Sequence, residues 1–417
     1  MNSRLSININ PVKCANLFFL LCYFALTIFT PFYSLQNMRL LLLFWVLWFL
    51  SSLQIDGKLI KESVLLLTLM GTMLLMAMIA SFIKEDVVPL NSVINTMPNF
   101  AWAIVGIFYV HHSQILKNVK WIMLGIILIS IIYTLIGNIL YPEASRLLAG
   151  TVEYYEYTRE YYRSLNIGGY GFIYSLVFLV MPLNILLKSS KSFSIQRVIL
   201  LILIILLIVT LIISSYMTAI IMLFFMSVFS LSKNDKIIRN IIILGILLLF
   251  IWGYRSSLLS LLSSIGRYIG SDILIKRSEQ LLTGSYLSEA GVDQNNRLTI
   301  FRNAILNWLD SPILGSMFGN IENIHRRSGH SELLGYLENW GLFSLIYFLF
   351  FRIAYLKIKQ VFLTMRMKNS YQVYFILLII FITIDRFNTF LEIGCIAFFF
   401  GPALMKISEI NFLKKNE

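Results

Sequence analysis

The residues best suited to chemistry lie between Arg297 and Gly341. Arg297 and Arg302 stand five positions apart on one short predicted helix, Arg326 and Arg327 come just before His330, and Glu338 follows. Guanidinium groups match phosphate oxygens through two parallel hydrogen bonds. Several together would hold a diphosphate and neutralise it as its bond breaks, which makes it a good leaving group. A neutral imidazole can take a proton from a sugar hydroxyl, and a helix N-terminus favours the neutral ring. His330, at the mouth of a predicted helix, is therefore the candidate base. Leu334 and Glu338 fall at i+4 and i+8 from it, on one helical face. An ionisable residue inside an apolar span costs about 2.5–3.5 kcal/mol for Asp, Lys or Arg. Glu338 is thus either a working residue or one half of an ion pair with an arginine. Plainer readings stand beside these: arginines at a membrane surface contact lipid headgroups, and a lone histidine is commonly structural.

These residues must be positioned by membrane helices. The chain has 417 residues, 58% of them hydrophobic and 13% charged, where a soluble domain carries about a quarter charged residues. On a ruler of about 20 apolar residues per bilayer crossing, twelve spans are expected, at 15–33, 39–54, 63–82, 94–111, 120–140, 168–187, 197–213, 215–232, 238–254, 333–352, 371–386 and 388–407. Pro98 and Asn99 make the fourth the weakest. The run from Arg197 to Leu231 is too long for one span and is divided at Ser214–Ser215, and the last pair is divided at Asp385–Asn388. Lys13 precedes an apolar run without a small-x-small cleavage site, so the first span is read as retained. The expectation is an all-α polytopic integral membrane protein, one domain over 1–417.

Net charge is +13. With the N-terminus inside, 20 of the 34 lysines and arginines fall in cytoplasmic segments, and the short outer turns hold only Arg39, Lys84 and Arg386. The positive-inside rule then puts both termini in the cytoplasm. The remaining basic residues lie in two longer extracytoplasmic loops, about 141–167 and 255–332, the second between spans nine and ten. A cluster of arginines outside runs against the bias and calls for an outer anion.

The first of these loops carries Arg146, Arg159 and Arg163 with Tyr154, Tyr155, Tyr157, Tyr161 and Tyr162. The tyrosines suit an interfacial belt or stacking on sugar rings. In the second, Ser256–Ile275 reads as a surface helix. A further helix places Arg297, Phe301, Ala304, Ile305 and Trp308 at helical spacing and is stopped by Asp310-Ser311-Pro312; Gly315 and Gly319 open a turn. His111-His112 reads as an interfacial pair. Cys14, Cys22 and Cys395 show neither disulfide nor metal spacing and read as buried apolar thiols. No nucleotide-binding loop, nucleophile elbow or metal-ligand cluster is present, so no metal, cofactor or nucleic acid is expected.

In order and placement, Arg297, Pro312-Ile313-Leu314-Gly315, His330 and Glu338-Asn339-Trp340-Gly341 resemble the O-antigen ligase and repeat-unit polymerase family, which assembles bacterial O-antigen and capsular polysaccharides. Arg163-Ser-Leu-Asn-Ile-Gly-Gly-Tyr-Gly is similar to the family's loop before a span. The motifs cover about a tenth of the chain. The resemblance implies a GT-C-like glycosyltransferase architecture in the bacterial cytoplasmic membrane and metal-independent, inverting glycosyl transfer at an extracytoplasmic site. The donor would be a glycan on undecaprenyl diphosphate and the acceptor a hydroxyl of a second lipid-linked repeat unit. Arg297, Arg302, Arg163, Arg326 and Arg327 would hold diphosphate and His330 would activate the hydroxyl, with Glu338 the second catalytic candidate. Membrane lipid, a flippase and a chain-length regulator are the partners it implies. One departure counts towards polymerase and against ligase: where many members carry Ser-Arg-Gly-Ala, this chain has Ser215-Tyr216-Met217-Thr218-Ala219, and Arg163, Arg255 or Arg302 would have to supply the missing charge. Ligation to another acceptor is the near alternative. A lipid-linked oligosaccharide flippase is the distant one, although neither paired halves nor a polar central path is visible.

Overall fold

The computed structural model describes residues 10–142, 144–148, 156–190, 194–214, 216–231, 255–270, 275, 279, 297–318, 331–385 and 391–416. Among them every regular element is helical. Ten helices are long and apolar enough to cross a membrane, so the chain is a multi-pass helical membrane protein. In order, the first are α1 Pro11–Ile28, α2 Met38–Ile55, α3 Lys58–Lys84, α4 Val88–His111 and α5 Ser113–Leu140. Two short helices follow, α6 Ala144–Leu147 and α7 Glu156–Ser164, then α8 Tyr170–Ser189, α9 Ile195–Ile213 and α10 Met217–Leu231. Beyond these lie α11 Arg255–Ile269, α12 Arg297–Asp310, α13 Glu332–Trp340, α14 Leu345–Val361 and α15 Met365–Ile384. The last span is composite: α16 Leu391–Gly394, a π turn Cys395–Phe400, and α17 Gly401–Asn416.

The helices begin where the sequence offers caps. Asn10, with Pro11 behind it, accepts the Val12 N–H at 3.0 Å, and Asn37, Ser194 and Thr364 cap α2, α9 and α15 in the same way. The expected division at Ser214–Ser215 is present, since α9 ends at Ile213 and α10 begins at Met217. Helix α10 has 15 residues, about 22 Å at helical rise, and is shorter than the ten. The expected ninth span, 238–254, lies outside the described residues.

Three segments form the centre. Helices α4 and α8 and the last span are 83%, 83% and 94% buried over their most apolar stretches, against 22% for α2 and 33% for α9. The fourth span looked weakest in sequence because of Pro98, yet it is central. Pro98 is buried inside α4, and the Tyr23 hydroxyl donates to its carbonyl at 3.3 Å. Rings of Tyr23, Trp102 and Phe399 stack at 4.1 and 5.3 Å, joining α1, α4 and the π turn. The Asn16 amide donates to Ser51 and Ser52 of α2, and its carbonyl accepts from the Tyr109 hydroxyl of α4.

The two ends of the bundle carry different polar groups. At the end holding the α2–α3, α4–α5 and α14–α15 junctions, Lys406 and the buried Glu409 pair at 2.7 Å. Glu409 also accepts the N–H groups of Leu363 and Thr364 and the Thr364 hydroxyl. His112 lies 3.0 Å from Asp56, consistent with a junction pair. The Lys58 N–H, and after it His112, hold the Asp56 carboxyl below its ordinary pKa. Lys357 pairs with Glu62 at 2.7 Å. Cys395 is buried as expected, but Cys14 is exposed on α1 and Cys22 half-buried, because both stand on the side of α1 opposite its buried Asn16 and Leu20.

Candidate functional site

The opposite end carries the residues singled out by sequence. Pro312–Gly315 and Glu338–Gly341, 26 positions apart in sequence, interlock backbone to backbone. The N–H groups of Ser316 and Met317 donate to the carbonyls of Glu338 and Asn339, both at 2.9 Å, and the Leu342 N–H donates to the Ile313 carbonyl at 3.1 Å. Two glycines make this possible. Gly315 has φ +69° and Gly341 φ +54°, and a Cβ on either would stand 2.4 Å from the Asn339 oxygen or 2.6 Å from the Ile313 oxygen. Only glycine suits both the left-handed backbone and the close approach. Outside the knot, the Ser316 hydroxyl donates to the Asn339 side-chain oxygen at 3.1 Å, and the Lys84 ammonium binds the Ser316 carbonyl. Phe318 sets its ring against Trp340 and Phe343.

This knot fastens α12 to α13. Ala304 and Asn307, one turn apart, are the buried face of α12. The Asn307 amide donates to a Glu338 carboxylate oxygen at 2.8 Å, with both residues at most 2% exposed. One partner of Glu338 is therefore an amide from the preceding loop helix. Of the residues read at helical spacing, Ala304 is buried and Ile305 is 45% exposed. Ser331 caps α13 by accepting the Leu334 N–H at 3.2 Å. His330 itself, from which the i+4 and i+8 alignment was expected, lies outside the described residues.

A second polar cluster lies beside the start of α13. The Glu332 N–H donates to the Asp385 carbonyl at 3.3 Å. Asp385, 2% exposed at the end of α15, accepts the Tyr174 hydroxyl at 3.2 Å. Tyr170, Tyr174 and Tyr216 pack ring to ring at 4.4 to 5.7 Å. The Tyr216 hydroxyl donates to the Ser145 carbonyl at 2.8 Å, and Asn138 joins Ser145 and Ser214. At the position where the resembled family carries its middle-span arginine, this chain buries a tyrosine in an aromatic group beside a carboxylate.

Of the expected site residues, Glu338 is buried against Asn307 of α12, the helix that also carries Arg297 and Arg302. Arg297 is the first residue of α12, and Arg302 is exposed one turn further along. Arg163 is exposed at the end of α7, whose Tyr161 and Tyr162 rings meet Tyr141. Asn166, at φ +61°, turns the chain from α7 towards α8, and the Gly168 N–H donates to Thr134 at 2.9 Å. Arg326, Arg327, His330, Tyr154 and Tyr155 lie outside the described residues. Asn307, Asp385, Tyr170, Tyr174 and Tyr216 were missed by sequence reasoning. Asp385 carried a usable signal, an acid at the end of an apolar span, and Asn307 carried a weaker one, a polar residue one turn from a small apolar one. No group of three His, Cys, Asp or Glu that could hold a metal occurs among the described residues. Comparison with protein-family models, curated proteins and solved structures gives no match for this chain.

Proposed function

We propose that the protein is a membrane glycosyltransferase, a polysaccharide repeat-unit polymerase that moves a glycan from undecaprenyl diphosphate to a sugar hydroxyl of another lipid-linked unit. The observation that supports this best is the knot between Pro312–Gly315 and Glu338–Gly341, the two motif pieces that carry the resemblance. It ties the arginine-bearing α12 to the span that opens directly after His330. In this reading Arg297 and Arg302, with Arg326, Arg327 and Arg163, hold the diphosphate outside the cytoplasmic membrane. His330 takes the proton of the acceptor hydroxyl. The freed oxygen attacks the anomeric carbon from the face opposite the diphosphate, the carbon–oxygen bond to diphosphate breaks with its electron pair, and configuration inverts. The arginines neutralise the departing charge. Glu338, engaged with Asn307, is a positioning residue. Tyr216 in place of the ligase-type arginine favours polymerase over ligase.

Gel analysis of lipid-linked glycans tests the reading. A strain lacking the protein should accumulate single repeat units outside the cytoplasm. Polymer left on its carrier would make it a ligase, and units trapped inside would make it a flippase. Arg297→Lys keeps charge but not the paired geometry and should restore polymer only in part. His330→Ala should lower transfer by about 10²–10⁴-fold. Full-length polymer from Arg297→Ala at normal protein level would overturn the diphosphate assignment.

A further inference from the structure

The loop helix α12 has three different sides. Ala304 and Asn307 are buried, Asn307 against Glu338. Arg302, Ile305 and Leu309, at i, i+3 and i+7, form the opposite side, and all three are exposed. Asn303 and Asp310 share a flank between the two, and Asp310 is exposed. The apolar stripe continues past the helix end into Ile313 and Leu314. A loop helix surrounded by water turns polar residues outwards. This one turns out Leu309 at 57% and Ile313 at 61% exposure.

Two neighbouring spans fix its depth. Glu62 of α3 pairs with Lys357 of α14 at one end. At the other end Lys84 of α3 binds the Ser316 carbonyl, and the Leu342 N–H, just before α14, donates to the Ile313 carbonyl. At helical rise Lys84 stands about 33 Å from Glu62, and Leu342 about 24 Å from Lys357. The hydrocarbon layer of a bilayer is about 30 Å thick. The turn that ends α12 therefore lies at the edge of that layer, not beyond it. Phe82, Ile83, Leu342 and Leu345, beside the same contacts, are exposed too, so the stripe on α12 is continuous with the outward apolar faces of two membrane spans.

We infer that α12 is an interfacial helix whose partner is the lipid leaflet at the knot end of the bundle. Ile305, Leu309, Ile313 and Leu314 sit among acyl chains, and Asn303 and Asp310 face water. An amphipathic helix lying in the interface buries its apolar face at the boundary of headgroups and acyl chains. Arg302, at one end of the stripe, has a stem long enough to lie along the apolar layer while its guanidinium reaches lipid phosphate. In the transferase reading this depth brings Arg302 level with a diphosphate carried by a lipid of that leaflet. The depth itself does not rest on that reading.

Nitroxide labels on the full chain in vesicles of phosphatidylglycerol and phosphatidylethanolamine test this, in a background lacking native cysteines. Power saturation compares collisions with oxygen, which concentrates among acyl chains, and with a water-soluble nickel chelate. Labels at Leu309→Cys and Ile313→Cys should favour oxygen as strongly as one at Ile205→Cys, an exposed residue in the middle of α9. A label at Asp310→Cys, next in sequence to Leu309, should favour the nickel chelate. Adding Leu309→Glu should shift the Ile313→Cys label towards the chelate. Leu309 is exposed, so that change removes no packing, and an unaltered size-exclusion profile checks it. A preference for the chelate at both Leu309→Cys and Ile313→Cys would put the stripe in water and overturn the inference. Loss of both kinds of collision would give the stripe to protein instead, and dipolar broadening between labels would identify that protein as a second copy of this chain. None of these measurements uses glycan transfer, so failure of the polymerase reading leaves them unchanged.

Discussion

Two buried carboxylates, Glu338 and Glu409, sit at opposite ends of the bundle and are held by different chemistry. Glu409 faces the Lys406 ammonium and three donors from Leu363 and Thr364. Those contacts cap α15 and neutralise charge, which is the pattern of a structural post. Glu338 accepts an amide hydrogen from Asn307, on a helix that reaches it through the glycine knot. Burial alone would rank the two carboxylates together, at 2% and 1% exposure. Their partners separate them: Glu409 closes the junction between neighbouring spans, and Glu338 joins a span to a loop helix bearing arginines. Variants that act on one end should leave the other intact.

The largest effect is expected at the post. Glu409→Gln leaves the Lys406 ammonium buried without its counter-charge, at a cost of about 3–5 kcal/mol. Thermal unfolding in detergent should show a marked fall in melting temperature. The double change Lys406→Met with Glu409→Leu should recover part of it, because the Leu363 and Thr364 N–H groups stay uncapped. Melting of Glu409→Gln with the wild type would remove the post from this comparison.

Next comes the knot. Gly315→Ala forces a left-handed backbone onto a residue with a Cβ, about 1–3 kcal/mol, and drives that carbon against the Asn339 oxygen. The spans should still melt near the wild-type temperature. A reporter cysteine at Met317, a buried position, should become reactive to a thiol reagent in a background lacking native cysteines, and polymer output should fall at least tenfold. An unreactive Met317→Cys in the Gly315→Ala protein would show that the knot tolerates the methyl.

The smallest effect belongs to Asn307→Ala. It removes one donor from a buried carboxylate, a local cost of about 1–3 kcal/mol. Insertion and melting should change little, while transfer drops several-fold. If Asn307→Ala instead unfolds the bundle as Glu409→Gln does, Glu338 is a second structural post and the contrast fails.

The spans were legible because a bilayer crossing writes itself as length and apolarity, and the cut at Ser214 was legible because no single helix accommodates that run. Helix α12 was readable to within its stop at Asp310. Its packed face was not. That face includes Asn307, which meets a residue 31 positions away through a hydrogen bond that local spacing does not encode. The short motifs singled out Pro312–Gly315 and Glu338–Gly341, but they did not say that Gly315 and Gly341 would meet. That requires two backbones at contact distance, which no periodicity encodes. Asp385 escaped because a carboxylate at a span end reads as a boundary marker until Tyr174 is seen beside it.

The most enclosed span, Leu391–Lys414, is also the last of the ten to be synthesised. Helices α4 and α8 are inserted long before the segment that fills the space between them, and domains otherwise tend to consolidate from the N-terminus during synthesis. The inner faces of α4 and α8 must therefore wait against lipid or translocation machinery until Phe398, Phe399 and Phe400 arrive. A ribosome that stalls before residue 391 would therefore leave the inserted α4 and α8 without the segment they enclose.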